Sequence, residues 1–437
     1  MLSILAFGMV ATFMTLIMTK RLSALVALIL VPTVFALLGG FVAGLGEMML
    51  DGVRQLAPTG VMLLFAILYF GVMIDAGLFD PLIVRIVAFV GSDPVKILVG
   101  TAVLALLVSL DGDGTTTYMI TVSAMLPLYR HLKLDVRAMA CVIIMAAAVT
   151  NLLPWGGPTA RAASALGLDP ATVFMPMVPA MLVGAVWVLG VAWWFGCKER
   201  TRLSLKSGPE AQELARDDLI AEAPGRNEAA LRPKLFVFNT LLTAVLMVLL
   251  ILGVLPLAVL FMLAFAVALM VNYPSLAEQK QRLSAHAGNA LAVVSLIFAA
   301  GIFMGILSGT RMVDAMAQSV LAVLPPQLGP YLAPITGLLS IPFTFFISND
   351  AFYFGMLPVL AEAASAYGIE PAALARASLV GQQVHLLSPL VPSTYLLVGM
   401  ARVEFGEHQR FTLPWALGAC VVMLLAGLAF GIFPLLV

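Results

Sequence analysis

The chain has 437 residues, 62% hydrophobic and 11% charged, with a mean hydropathy of +1.06. A soluble domain carries about 25% charged residues, so the composition excludes a water-soluble globular protein and defines a polytopic membrane protein. Formal net charge is zero, and Cys141, Cys197 and Cys420 show no Cys-x-x-Cys or Cys/His spacing. That excludes a nucleic-acid footprint, a disulfide framework and a zinc site, and leaves the cysteines as packing residues.

A crossing needs about 20 apolar residues. Candidate spans are 2–19, 22–46, 57–78, 136–160, 171–196, 235–253, 255–272, 288–308, 372–399 and 412–436. The first span lacks a basic start and a small-residue cleavage site, so it reads as a retained span and not a signal peptide. Two further apolar regions, 94–129 and 331–366, break at polar tips and read as re-entrant helical hairpins. Spans 136–160 and 372–399 break at Pro154–Pro158 and Ser388–Pro392 and read as interrupted helices. Lys198 to Lys234 holds eight basic and seven acidic residues and three prolines, a solvated linker between two halves.

The halves resemble one another. Met125-Leu126-Pro127-Leu128 matches Met356-Leu357-Pro358-Val359, and Thr150 to Gly167 aligns with Val384 to Ala401, placing Asn151 on His385, Pro158 on Pro392 and Thr159 on Ser393. Gly71 to Asp80 similarly resembles Gly301 to Asp314. With five crossings per half, the second copy is inverted. The expected fold is therefore an all-α polytopic membrane protein of two inverted repeats, 1–197 and 235–437, joined by a cytoplasmic linker at 198–234. Basic residues in short loops place both termini outside the cytoplasm. Inverted repeats with broken helices meeting at the midplane are the design of secondary transporters.

The site is expected where the tips and breaks converge. Asp111 and Asp113, in Ser-Leu-Asp-Gly-Asp-Gly-Thr-Thr-Thr, each cost about 2.5–3.5 kcal/mol at a bilayer centre, which nothing in stability requires. Thr115 and Thr116 follow them, and Ser348, Asn349 and Asp350 form the second tip. Gly156, Gly157 and Pro158 unwind the first break, where restarting helix N–H groups suit an anion. Asn151, Thr159, Ser388, Ser393 and Thr394 complete the polar lining. An anion beside three carboxylates is a conflict that a divalent cation of the magnesium or calcium class resolves, with Asp113, Asp350 and substrate oxygens as ligands. Arg161 can pair with a carboxylate that the metal leaves uncovered. Asp111, Asp113, Asp350 and His385 are the candidates for proton coupling. Structural roles compete in each case: helix capping for Asp111 and Asp113, an ion pair for Arg161, a hydrogen-bonded packing role for His385. His131, His286 and His408 read as solvated loop residues, Asp75 as a cap or snorkelling group, and the Gly301, Gly305, Gly309 stripe as close helix packing.

SLDGDGTTT followed by MLPLYRHL, NLLPWGGPTARA and FISNDAFYFGMLPVL resemble the citrate–metal–proton symporter (CitMHS) family across essentially the whole chain. More distantly the chain is similar to divalent-anion sodium symporters, whose Ser-Asn-Thr tips bind a carboxylate and sodium. Ser348-Asn349 matches that motif, whereas Asp350 and Ser109-Leu110-Asp111 depart from it, leaving room for metal and proton coupling instead. The resemblance implies import of citrate, or a related di- or tricarboxylate, complexed with a divalent metal and driven by protons. It also implies a homodimer in the bacterial inner membrane, with a fixed scaffold and a sliding, elevator-type transport domain, and no enzymatic activity. The alternatives are a proton-coupled cation antiporter, which moves cations without an organic anion, and a sodium-coupled symporter. An intramembrane aspartyl protease lacks its Gly-x-Gly-Asp stretch, a channel fits two broken-helix motifs poorly, and no Walker sequence supports an ATP-driven pump.

Overall fold

The computed structural model describes residues 2–204 and 228–437, which are helical apart from turns and loops, with no strand among them. The first half runs α1 (Leu2–Met18), α2 (Ala24–Leu38), α3 (Leu45–Asp75), α4 (Asp80–Val90), α5 (Pro94–Val108), α6 (Gly114–His131), α7 (Val136–Thr150), α8 (Gly157–Ala165), α9 (Pro170–Phe174) and α10 (Val178–Ser204). The second runs α11 (Phe236–Leu252), α12 (Leu257–Asn272), α13 (Leu276–Gly309), α14 (Met312–Val323), α15 (Leu332–Phe346), α16 (Leu357–Ser365), α17 (Pro371–Ser378), α18 (Gln382–His385), α19 (Pro392–Ala401) and α20 (Phe405–Ala429). The two halves share an order of two helices, one very long helix, one short helix, a hairpin, an interrupted helix and a long closing helix; α9 occurs only in the first, and the first arm of the second interrupted helix is split into α17 and α18.

Seven helical stretches among the described residues are long and apolar enough to cross a membrane. Others, such as α7 and α12, are apolar but shorter, the first because its span is interrupted. The segments α4 and α14 were not expected; each is a short helix directly following one of the two longest. Both long helices begin earlier than hydropathy indicates, because α3 and α13 carry polar first turns beyond their apolar stretches.

These two helices, of 31 and 34 residues, pack along one another. A Cβ on Gly52 would lie 1.9 Å from the Gly301 carbonyl oxygen, and one on Gly305 would lie 2.1 Å from the Met48 carbonyl oxygen. The glycine stripe is thus where two backbones touch. At the far end of α3, Asp75 Oδ2 accepts from Arg282 Nη1 at 3.0 Å and pairs with His286 Nε2 at 2.9 Å. Asp75 and His286 are therefore neither snorkelling nor solvated: a carboxylate at an apolar helix end is satisfied across the pair.

His408 also departs from expectation. It lies on α20, is 0% exposed, and its Nδ1 is 3.3 Å from the Thr412 hydroxyl. His131 ends α6 and is exposed, as expected. Cys141 and Cys420 are buried free thiols and Cys197 is half-buried, consistent with packing. Of the expected linker, Lys198–Ser204 continues α10, and 205–227 lies outside the described residues. Its far end is docked: Arg232 donates to the Asn272 carbonyl at 2.7 Å, pairs with Glu278 at 2.7 Å and lies 4.6 Å over the Tyr273 ring.

Outside the membrane segments, Asp93 before α5 pairs with Arg200 of α10 at 2.6 Å. The hydrogen bond from Arg200 holds the Asp93 carboxyl below its ordinary range, against a smaller upward push from burial.

Candidate functional site

The first tip is built from its own residues. After α5 the chain makes one tight turn, Ser109–Asp111, and Gly112 takes the left-handed conformation at φ +80°. Asp111 is buried, and its Oδ1 accepts from the Asp113 N–H at 2.9 Å. Asp113 is the N-cap of α6. Its Oδ1 accepts from the Thr115 N–H at 3.1 Å, and its Oδ2 accepts from the Thr116 N–H at 3.2 Å and the Thr116 hydroxyl at 2.9 Å. Capping satisfies two helix-end donors that would otherwise be orphaned at membrane depth. The capping role therefore holds in the structure, leaving the remaining lone pairs of a half-buried carboxylate for a ligand.

The second tip is built from other elements. Asn349 and Gln382 of α18 exchange hydrogen bonds at 3.2 and 3.1 Å, and Gln382 also donates to the Tyr353 hydroxyl at 2.9 Å. Asp350 Oδ1 accepts from Arg161 Nε of α8 at 2.6 Å, a pair with side chains only 18% and 25% exposed. Ser348 caps locally, accepting from the Ala351 N–H at 3.2 Å. The chain then makes a wide π turn, Ala351–Met356, before α16; such turns are frequent at functional sites.

Both breaks solve the same problem in the same way. A helix that stops in mid-membrane leaves carbonyls without donors. The Thr159 hydroxyl donates to the Leu152 carbonyl at 2.8 Å, and the Thr394 hydroxyl donates to the Leu386 carbonyl. The partner of Thr159 is thus Thr394 and not Ser393, one residue away from the ungapped alignment. Gly156 is obligatory, since a Cβ there would lie 1.9 Å from the Asn151 carbonyl oxygen. Ser388 accepts from the Leu390 N–H at 3.2 Å, and Ser393 lies beside the Tyr118 phenol of α6. His385 Nδ1 faces the Thr344 carbonyl oxygen at 2.7 Å. A carbonyl only accepts, so that nitrogen carries the hydrogen and Nε2 is the nitrogen left to take a proton.

Each tip therefore reaches the other half's broken helix: α6 packs on α19, and the turn after Asp350 packs on α8. Asn151 ends α7 half-buried, and Gly157 and Pro158 start α8. The three tip aspartates do not form a ready-made cation cage. Among the described residues no group of three or more His, Cys, Asp or Glu could hold a metal ion. Sequence reasoning missed Trp155, whose Nε1 donates to the Leu110 carbonyl at 2.9 Å, and Gln382, Thr344 and Tyr118. The available signal was a tryptophan N–H placed in a break, where free carbonyls are expected.

Seven helical stretches long and apolar enough to cross a membrane, with hairpins and interrupted helices that enclose charged residues, are the architecture of a multi-pass membrane transporter. The fold is similar to that of the Alcanivorax borkumensis YdaH transporter, with a TM-score of 0.56, 15% identity, and coverage of 91% of this chain and 90% of that one. The CitMHS citrate transporter family model matches residues 8–381, and the chain belongs to that family. It is 60% identical to a Bacillus subtilis protein named citrate transporter, over 99% of both chains. It is 51% identical to a Bacillus subtilis protein named Mg(2+)/citrate complex secondary transporter, again over 99% of both. The chain is a transporter and not an enzyme.

Proposed function

We propose that this protein imports citrate, or a closely related di- or tricarboxylate, as a complex with a divalent metal of the magnesium or calcium class, coupled to protons. The relative named for a Mg(2+)/citrate complex supports the metal-bound form of the cargo. The observation that carries the reading is the Arg161–Asp350 pair. It joins the second tip to the first restarting helix, and each member matches one component of the cargo. A citrate carboxylate takes the place of Asp350 on Arg161, and the metal takes the place of Arg161 on Asp350. Loading only one component leaves a largely buried charge unpaired, which is costly. The two components are thus accepted together. Asp113 offers remaining oxygen lone pairs to the same metal, and Asp111, Asp113, Asp350 and His385 are the groups available to carry the coupled proton.

The repeated element order supports two repeats, 1–197 and 235–437, inverted about the membrane midplane. The α3–α13 group forms the scaffold and the hairpins with the broken helices form the moving, elevator-type domain. The protein works as a homodimer in the bacterial inner membrane, with both termini outside the cytoplasm. Uptake of labelled citrate into proteoliposomes, with EDTA, a panel of divalent metals and a protonophore, tests the function. Uptake should require a divalent metal and fall when the proton gradient collapses. Uptake indifferent to both would overturn the proposal.

A further inference from the structure

The first break carries a side chain with no counterpart in the second. Trp155 is 6% exposed and occupies the unwound stretch between α7 and α8. Its indole N–H donates to the Leu110 carbonyl of the first tip at 2.9 Å. Its Cδ1 lies 3.0 Å from where a Cβ on Gly112 would stand, so the tip backbone rests directly on the ring. The other side of the indole meets two aromatic rings from the long-helix group. Phe261 of α12 approaches edge-on at 5.0 Å between centroids, and Phe70 of α3 lies at 5.8 Å. In the second half the aligned positions are Pro389 and Leu390, both exposed, the latter by 39%.

The physical need is local. A tight turn ending in a left-handed glycine leaves the Leu110 carbonyl without a main-chain donor, and water is scarce at this depth. The indole N–H fills that gap, with the ring packed between the tip backbone and Phe70 and Phe261.

We infer that Trp155 is the positioning residue of the first tip: its indole N–H holds the Asp111–Asp113 turn in binding geometry through the Leu110 carbonyl, while the contacts of its ring with α3 and α12 are packing. The inference rests on the first tip belonging to the substrate site proposed above. Trp155→Phe keeps an aromatic ring and removes the donor. Phe261→Leu loosens the ring's packing and keeps the donor. Two readouts are taken on the full-length protein in lipid: amide hydrogen exchange over 111–116 without substrate, and KM and Vmax for citrate with magnesium.

Trp155→Phe should speed exchange at the tip about fivefold, the weight of one neutral hydrogen bond. KM should rise by a similar factor, with Vmax per folded protein little changed. Phe261→Leu should leave tip exchange and KM near wild type. Wild-type exchange and KM in Trp155→Phe would overturn the inference, as would equal effects of the two variants, which would reduce Trp155 to packing. Faster exchange with unchanged KM would remove the tip from the binding site and the positioning role with it. A wild-type protein without citrate uptake would instead refute the proposed function, and exchange alone would then decide whether Trp155 holds the turn.

Discussion

The two hairpin tips are built on opposite principles. The first holds its carboxylates locally: Asp111 and Asp113 bond to the backbone within three residues, and only its Leu110 carbonyl turns to another element of the same half, accepting from Trp155. In the second, the side chains of Asn349 and Asp350 are both held by other elements, Gln382 in the same half and Arg161 in the opposite one, 189 residues away. A tip whose carboxylates are bonded within three residues holds its own shape, whereas one held by an ion pair and an amide pair can exchange those partners; under the proposed function the second is the one that loading rearranges.

The largest expected effect breaks that contrast at its charged contact. Arg161→Ala or Asp350→Ala should abolish citrate uptake and cost about 2 kcal/mol of stability, typical for losing a hydrogen bond between charged groups. The exchanged pair, Arg161→Asp with Asp350→Arg, should recover stability in a thermal unfolding assay and not uptake. Recovered uptake would make the contact purely structural.

At the first tip, stability and function should separate. Asp113→Ala removes the cap of α6 and should cost about 1 kcal/mol, whereas Asp113→Asn, also a good cap, should cost only a few tenths. Uptake should be lost in both. An Asp113→Asn protein with normal uptake would confine Asp113 to capping.

Where the halves do agree, substitutions should agree too. Thr159→Val and Thr394→Val each strand one buried carbonyl and should each cost about 1 kcal/mol. A large effect in one half alone would end the correspondence between the two breaks.

The smallest effect is expected at the Asp93–Arg200 pair, the exposed version of the same chemistry. Its carboxyl is lowered by Arg200, so its contribution is present above the unfolded value of about 3.9 and is lost as pH falls through the folded one. Arg200→Ala should lower the melting temperature slightly at neutral pH, the difference closing in acid. A difference that widens in acid would reverse the assigned sign.

What the sequence made legible follows from how local each feature is. Glycine, proline and aspartate inside apolar runs mark both tips and both breaks, because those residue types leave few other conformations. The Asp113 cap was one of two readings, and only the positions of Thr115 and Thr116 select it. That Arg161 pairs with a carboxylate was legible, but Asp350 as the partner was not, since no local pattern joins residues in opposite halves. His286 and His408 were misplaced because a histidine beside charged or polar neighbours looks like a loop until its partners, Asp75 and Thr412, arrive from packing. Helices α4 and α14 are too short for a hydropathy window. Thr394 was missed as the partner of Thr159 because an ungapped alignment cannot register a break that is one residue longer.

The most direct test is an experimental structure of the protein loaded with citrate and magnesium. The account predicts that Arg161 Nε and Asp350 Oδ1, 2.6 Å apart here, separate, with a citrate carboxylate on Arg161 and the metal on Asp350. Citrate bound elsewhere with that pair intact would contradict it.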